Sequence, residues 1–235
     1  MPDMRIRSQT ASEGRRFRPQ VKICGLTRED EALACAELGA DAIGGVFYPR
    51  SPRHLSEEQA RSLFCSLPDT VCRVGVFVNE PFSTIMQRVD QCGLNAVQLH
   101  GRESPDLVDE LRKTGIIVIK AIFVNGTPSL MRIDSFNASA YLIECAGGTL
   151  PGGNALEWDW SAAAGISERK AVVLAGGLNP ANVAQAIQDA RPDAVDVSSG
   201  VESAPGRKDL EKVKCLLQAV AFAGCLKRKP RRVFQ

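Results

Sequence analysis

The chain has 235 residues, 44% hydrophobic and 24% charged, so it can bury a substantial core without disulfides or metals to hold it. No stretch approaches the roughly 20 apolar residues of a membrane span, and no apolar run follows the charged N-terminus as a secretory signal requires. The formal charge of +2 hides an asymmetry: setting aside the ten Lys and Arg of residues 1–18 and 227–232, with Asp3 and Glu13, leaves 19 basic residues against 25 acidic, an acidic body between basic ends.

Eight cysteines, at 24, 35, 65, 72, 92, 145, 215 and 225, contain no CxxC pair, and only His54 and His100 are available beside them. They read as reduced thiols of a cytoplasmic protein, with no metal site of the Cys/His kind. The run KRKPRR at 227–232 has the composition of a nucleic-acid patch, but is read here as solvated tail rather than an interface. The expected organisation is a basic N-terminal extension over 1–19, one domain over 20–222 and a basic C-terminal tail over 223–235, both tails short and disordered.

From residue 20 onward, short apolar runs alternate with segments of helical period, the pattern of β/α units around a parallel sheet. Strands are predicted near 20–24, 41–47, 72–78, 95–99, 116–122, 140–144, 171–175 and 194–198. Amphipathic stretches lie near 28–38, 56–66, 81–91, 104–114, 127–135, 160–166, 181–190 and 207–222. Eight such units in about this length fit a (β/α)8 barrel. An open doubly wound sheet would carry Gly-x-Gly-x-x-Gly after its first strand, and none is present. Function is then expected where strands stop, at the C-terminal rim of the barrel.

Three kinds of residue stand at those ends. The first predicted strand, VKIC, stops on Cys24; Asn79 and His100 end the third and fourth, face the rim and are candidate substrate contacts. On strand one, Lys22 shares the face of Cys24 because alternate residues point the same way. A lysine aimed into a barrel needs a buried partner, and Asp196 on strand eight is the candidate. After strand seven comes AGGLNP with Gly176 and Gly177, and after strand eight VSSGVE with Ser198, Ser199 and Gly200. Paired glycines let backbone N–H groups approach an anion, Asn179-Pro180 suits a helix start, and these two loops hold phosphate in many barrels. The substrate expected is a small phosphate ester, with no membrane or nucleic-acid partner.

VKICGLT at 21–27, SPRHLS at 51–56, VGVFVN at 74–79, VQLHG at 97–101, LAGGLNPANV at 174–183 and VDVSSGVESAPGRKD at 195–209 together resemble the signature segments of the phosphoribosylanthranilate isomerases of tryptophan biosynthesis. The resemblance runs from about 20 to 222, in order. It implies a cofactor-free Amadori rearrangement of N-(5'-phosphoribosyl)anthranilate, an aminoaldose, to the aminoketose 1-(2-carboxyphenylamino)-1-deoxyribulose 5-phosphate. Such a reaction needs a general acid for the sugar ring oxygen and a general base for the proton on the sugar's second carbon.

The resemblance places the base at Cys24 and gives Arg53 the anthranilate carboxylate, which a guanidinium can grip through two parallel hydrogen bonds. It puts the acid at the end of strand six, where the family has aspartate and this chain has Glu144, one methylene longer. The family's glycine-rich loop beyond that strand aligns with Gly152 and Gly153, expected to border the substrate, followed by Trp158-Asp159-Trp160. The departure at Glu144 leaves two alternatives open, a related isomerase for a modified phosphoribosyl substrate and a phosphosugar-binding barrel without turnover, and two related barrels fit less well. The histidine-pathway isomerase would place an aspartate at position 24, and indole-glycerol-phosphate synthase needs more than Lys120 and Glu144.

Overall fold

The computed structural model describes residues 17–146, 157–223 and 229–235. Eight strands, β1 (Gln20–Cys24), β2 (Ala42–Val46), β3 (Cys72–Phe77), β4 (Ala96–Leu99), β5 (Ile117–Phe123), β6 (Ala140–Glu144), β7 (Val172–Leu174) and β8 (Ala194–Val197), pair in parallel and in chain order. β8 returns to pair with β1, with Lys22 opposite Asp196, and so closes the barrel. This is the (β/α)8 architecture expected from the spacing of apolar runs, and every predicted strand lies within a residue of its observed ends.

The outer layer holds α1 (Glu29–Glu37), α2 (Glu57–Cys65), α3 (Phe82–Cys92), α4 (Pro105–Lys113), α5 (Ala164–Arg169), α6 (Val183–Ala190) and α7 (Leu210–Phe222). Their starts follow from local chemistry. Ser56 and Gln59 form a reciprocal capping box at α2. Ser104 caps α4 with Pro105 in the first turn, and Asp209 accepts from the amides of Glu211 and Lys212 at α7. Between β5 and β6 the expected amphipathic helix over 127–135 is only a 3-10 helix, Leu130–Ser135, and α5 is likewise preceded by a 3-10 turn, Trp160–Ala163. A small antiparallel hairpin, β9 (Glu202–Ala204) and β10 (Arg207–Lys208), interrupts the passage from β8 to α7 and was not foreseen from the sequence.

Alternation along the strands sorts side chains into two apolar regions. One lies between strands and helices and holds Val21, Ile23, Ile43, Phe64, Phe77, Leu99 and Val195. The other fills the barrel and is lined by Ala42, Cys72, Val74, Ala96, Ile119, Ala121, Ala140, Leu142, Val173 and Ala194. Alanine begins four of the strands, β2, β4, β6 and β8, so the N-terminal end of the barrel is lined by small groups.

The chain's own C-terminus occupies that end. Val233 and Phe234 belong to the interior cluster, and Phe234 is 2% exposed. The Gln20 amide donates to the Phe234 carbonyl at 2.7 Å, and its oxygen accepts from the amides of Val233 and Phe234 at 2.7 and 3.0 Å. The Arg231 amide donates to Asp193, and its guanidinium donates to the carbonyls of Ser167, Glu168 and Lys170. The expectation of a disordered C-terminal tail is therefore corrected for residues 229–235. Val233 and Phe234 find an apolar end of the barrel to fill, and the basic charge beside them meets carbonyls and a buried carboxylate.

Candidate active site

The C-terminal rim carries the polar side chains. By strand alternation, Cys24 of β1, Glu144 of β6, and His100 and Ser198 just beyond β4 and β8, face the barrel mouth. Lys22, Gln98 and Asp196 form a polar layer one step deeper. Cys24 is buried and Gly25 follows it in the left-handed region, φ 74°, which only glycine adopts without strain. A Cβ on Gly25 would also stand 2.4 Å from Cδ of Arg53, so the bare backbone is what lets Arg53 pass over the end of β1.

Arg53 comes from the loop after β2, and its guanidinium is held by Glu202 of the hairpin. Nε donates to Oε1 at 2.8 Å and Nη2 to Oε2 at 2.6 Å, the bidentate geometry suited to a carboxylate. Oε1 of Glu202 also accepts from Lys208 Nζ at 2.7 Å. Burial is the largest influence on the Glu202 carboxyl and raises its pKa, but the hydrogen bonds from Arg53 and Lys208 and the charge of Lys208 outweigh it and leave it below the ordinary range. The hairpin is itself anchored: Glu31 of α1 accepts from Arg207 Nε and from the Lys208 amide, both at 2.8 Å, and Thr27 donates to the Gly206 carbonyl at 2.6 Å. The Nη1 edge of Arg53 has no hydrogen-bond partner among the described residues.

Across the mouth, Glu144 is 5% exposed and its Oε1 lies 2.9 Å from His100 Nε2. His100 Nδ1 is in turn 3.0 Å from the Gln98 amide nitrogen, and Phe123 stands edge-on to the ring at 5.7 Å. The carboxyl of Glu144 therefore reaches past β5 to the end of β4, a span its extra methylene serves. On its other side the indole of Trp158 donates to the Ala175 carbonyl at 3.0 Å, and Gly176 is pressed between Trp158 Nε1 and Cβ of Glu144.

The two loops expected to hold phosphate lie side by side. Gly176 and Gly177 both have positive φ, 86° and 69°, turning the chain after β7. A Cβ on Gly200 would stand 1.9 Å from the Leu178 carbonyl oxygen, so the β7 and β8 loops touch through a glycine that admits no side chain. Ser198, Ser199 and Gly200 are half-buried, and Ser199–Val201 form a 3-10 turn. Asn179 Oδ1 accepts from the amides of Ala181 and Asn182, fixing the turn that leads into α6.

Asn79 stands at φ 56°, and its Oδ1 accepts from the Arg102 amide at 2.7 Å, committing that side chain to the loop after β4. Gly152 and Gly153 lie outside the described residues. Lys120 donates to Glu103 at 2.8 Å and to the carbonyls of Leu99 and Gly101, which gives it a structural setting. The candidate pair of Lys22 and Asp196 is present, Nζ to Oδ1 at 2.9 Å. Glu202, Lys208 and Gln98 were not singled out in the sequence. The only signal for the first two was their place in the segment VESAPGRKD, whose fold as a hairpin no periodicity announces.

Residues 21–219 match the family model described as N-(5'phosphoribosyl)anthranilate (PRA) isomerase. The N-(5'-phosphoribosyl)anthranilate isomerase of Desulfatibacillum aliphaticivorans is 53% identical over 215 residues, covering 92% of this chain and 98% of that protein. Among solved structures, phosphoribosyl anthranilate isomerase from Thermus thermophilus superposes with a TM-score of 0.79 at 34% identity, covering 86% of this chain and 98% of that one. Another phosphoribosyl anthranilate isomerase, solved in complex with reduced 1-(o-carboxyphenylamino)-1-deoxyribulose 5-phosphate, is 42% identical with a TM-score of 0.76, covering 86% of this chain and 98% of that one.

Proposed function

The chain belongs to the N-(5'-phosphoribosyl)anthranilate isomerase family and converts N-(5'-phosphoribosyl)anthranilate to 1-(2-carboxyphenylamino)-1-deoxyribulose 5-phosphate in tryptophan biosynthesis; from that premise, we propose which of its side chains carry each step. The reading rests on one observation, the order of strands around the closed barrel. β7 and β8, whose loops are the phosphate cradle, stand between β6, which ends on Glu144, and β1, which ends on Cys24. A sugar phosphate anchored at Gly176, Gly177, Ser198, Ser199 and Gly200 has an acid on one side and a base on the other.

Glu144 is the general acid. In its protonated form it delivers a proton to the furanose ring oxygen as the bond from that oxygen to the first carbon breaks, leaving the open chain as a protonated Schiff base of anthranilate. His100, 2.9 Å from Glu144, holds the carboxyl in place, so His100 serves the acid directly and the substrate only at second hand. Cys24, as thiolate, then removes the proton from the sugar's second carbon. That electron pair forms the new carbon–carbon double bond and neutralises the Schiff-base nitrogen, and the resulting enol tautomerises to the ketone.

Arg53 offers its Nη1 edge to the anthranilate carboxylate while Glu202 fixes the other edge. Asn79 supports the rim through the loop after β4. The family resemblance also assigns Gly152 and Gly153, outside the described residues, to the substrate. The substrate is a small phosphosugar, and neither step calls for a cofactor, since the substrate supplies its own electron sink in the protonated Schiff base.

The test is turnover of freshly generated substrate, followed by loss of anthranilate-type fluorescence, in the unmodified protein and in Cys24→Ala and Glu144→Ala. Each substitution should lower kcat by about a hundredfold or more, the range of a lost acid or base, with affinity for the reduced product analogue retained. Full turnover by either variant would remove that residue from its role.

A further inference from the structure

A thiol in a buried site is a poor base until something stabilises its anion, and the layer beneath Cys24 contains a group placed to do so. Lys22, on the same face of β1, is 0% exposed, yet its ammonium stays charged. Burial alone would lower its pKa, but Asp196 and Cys24 outweigh burial and hold it above the ordinary range. One ammonium proton goes to Asp196 Oδ1 at 2.9 Å, and the ammonium and the Cys24 sulfur approach each other over Gly44 of β2.

Strand β2 makes that contact possible. A Cβ on Gly44 would lie 2.8 Å from Cys24 Sγ, 2.9 Å from Lys22 Cε and 3.1 Å from Lys22 Nζ, so all three atoms crowd into the space a side chain would have filled.

The charges around the thiol do not cancel without it. The cations whose charge reaches Cys24 are Lys22 of β1, paired with Asp196 of β8, and Arg53 and Lys208, both paired with Glu202 of β9, while Gly44 of β2 presents no charge. Three cations therefore share two carboxylates, an excess of positive charge that favours the anion once the thiol gives up its proton.

We propose that Lys22 is the positioning residue of the general base: its ammonium, anchored by Asp196, is the counter-ion of the Cys24 thiolate. The inference rests on the assignment of Cys24 as base. Asp196 has the opposite effect on the sulfur, because its negative charge disfavours a second anion beside it. The resting thiol stands above its ordinary pKa because burial is the largest influence, with Lys22 the largest opposing it.

The two partners predict shifts of opposite sign, which a merely structural ion pair would not. Iodoacetamide alkylation of Cys24, read by peptide mass spectrometry, and kcat/KM would both be followed from about pH 6 to 10, a range spanning the ordinary thiol value of about 8.5. In Lys22→Met/Asp196→Asn, where no charge is left orphaned, the acid limb of both profiles should move up by a unit or more. That is about a tenfold loss at neutral pH, recovered in alkaline solution. In Asp196→Asn alone, which keeps an oxygen acceptor for Lys22, both limbs should move down.

Limbs that stay in place in both variants while only the melting temperature falls would overturn the proposal, as would shifts of the same sign. Failure of the underlying reading looks different: Cys24→Ala would then keep turning over, whereas the alkylation profiles would still report whether Lys22 stabilises the thiolate.

Discussion

Glu144 shows how one methylene redistributes a site. Its carboxyl spans from β6 to His100 on the far side of β5, and both partners are buried. Glu144→Asp, the residue the family resemblance led one to expect, should withdraw the carboxyl by about 1 Å or more and lower kcat by on the order of a hundredfold, with KM little changed. Steady-state kinetics with the substituted enzyme decides it, and an unchanged kcat would mean that the contact with His100 contributes nothing.

Glu202 yields a pH prediction. Its folded pKa is depressed, so its contribution to stability is present above the unfolded value of about 4.3 and is lost as pH falls through the lower folded value. Glu202→Gln should therefore be less stable than the parent at pH 7. The gap measured by urea unfolding should close as pH drops below about 4. A gap that stayed constant with pH would assign the loss to packing instead of charge.

Among the elements, the loops after β7 and β8 are interdependent because Gly200 touches the Leu178 carbonyl with no room for a Cβ. Gly200→Ala must push the loops apart, so affinity for the reduced product analogue should fall at least about tenfold, a displacement-scale loss for a site that depends on placed donors. Isothermal titration would register it. The hairpin β9–β10 is the other element that matters. It brings Glu202 and Lys208 over the mouth and is tied to Glu31 of α1 through Arg207 and the Lys208 amide, so the grip on Arg53 belongs to an insertion between β8 and α7 and not to the repeating units.

At the scale of the whole molecule, chemistry and closure sit at opposite ends of the barrel. The rim carries Cys24, Arg53 and Glu144, whereas the end lined by Ala42, Ala96, Ala140 and Ala194 is filled by Val233 and Phe234. The family model matches residues 21–219, and Val233 and Phe234 lie beyond that segment. Phe234→Ala should cost about 3–5 kcal/mol, the usual range for emptying a buried phenylalanine site. kcat and KM should be unchanged at temperatures where the variant is folded. A normal melting temperature would show that the segment does not contribute to stability, and a loss of kcat at full stability would show that the two ends are coupled.

The sequence by itself determined the barrel, its strand ends and most of the rim, because strand period, glycine turns and the motifs at 21–27, 97–101 and 174–200 are local properties that survive being read one residue at a time. Lys22 and its partner Asp196 were legible for the same reason, since alternation fixes the face and burial demands a counter-charge. What only the tertiary structure decided were contacts between segments far apart in the chain. Arg53 with Glu202, Glu144 with His100, and Phe234 among the barrel's alanines are separated by 149, 44 and tens to hundreds of positions, and no periodicity carries such information. Each is a pairing of a buried charge or a buried ring, settled by what the folded barrel leaves unsatisfied: a carboxylate for a guanidinium, an imidazole for a long carboxyl, and a ring-sized space at the end that small residues left open.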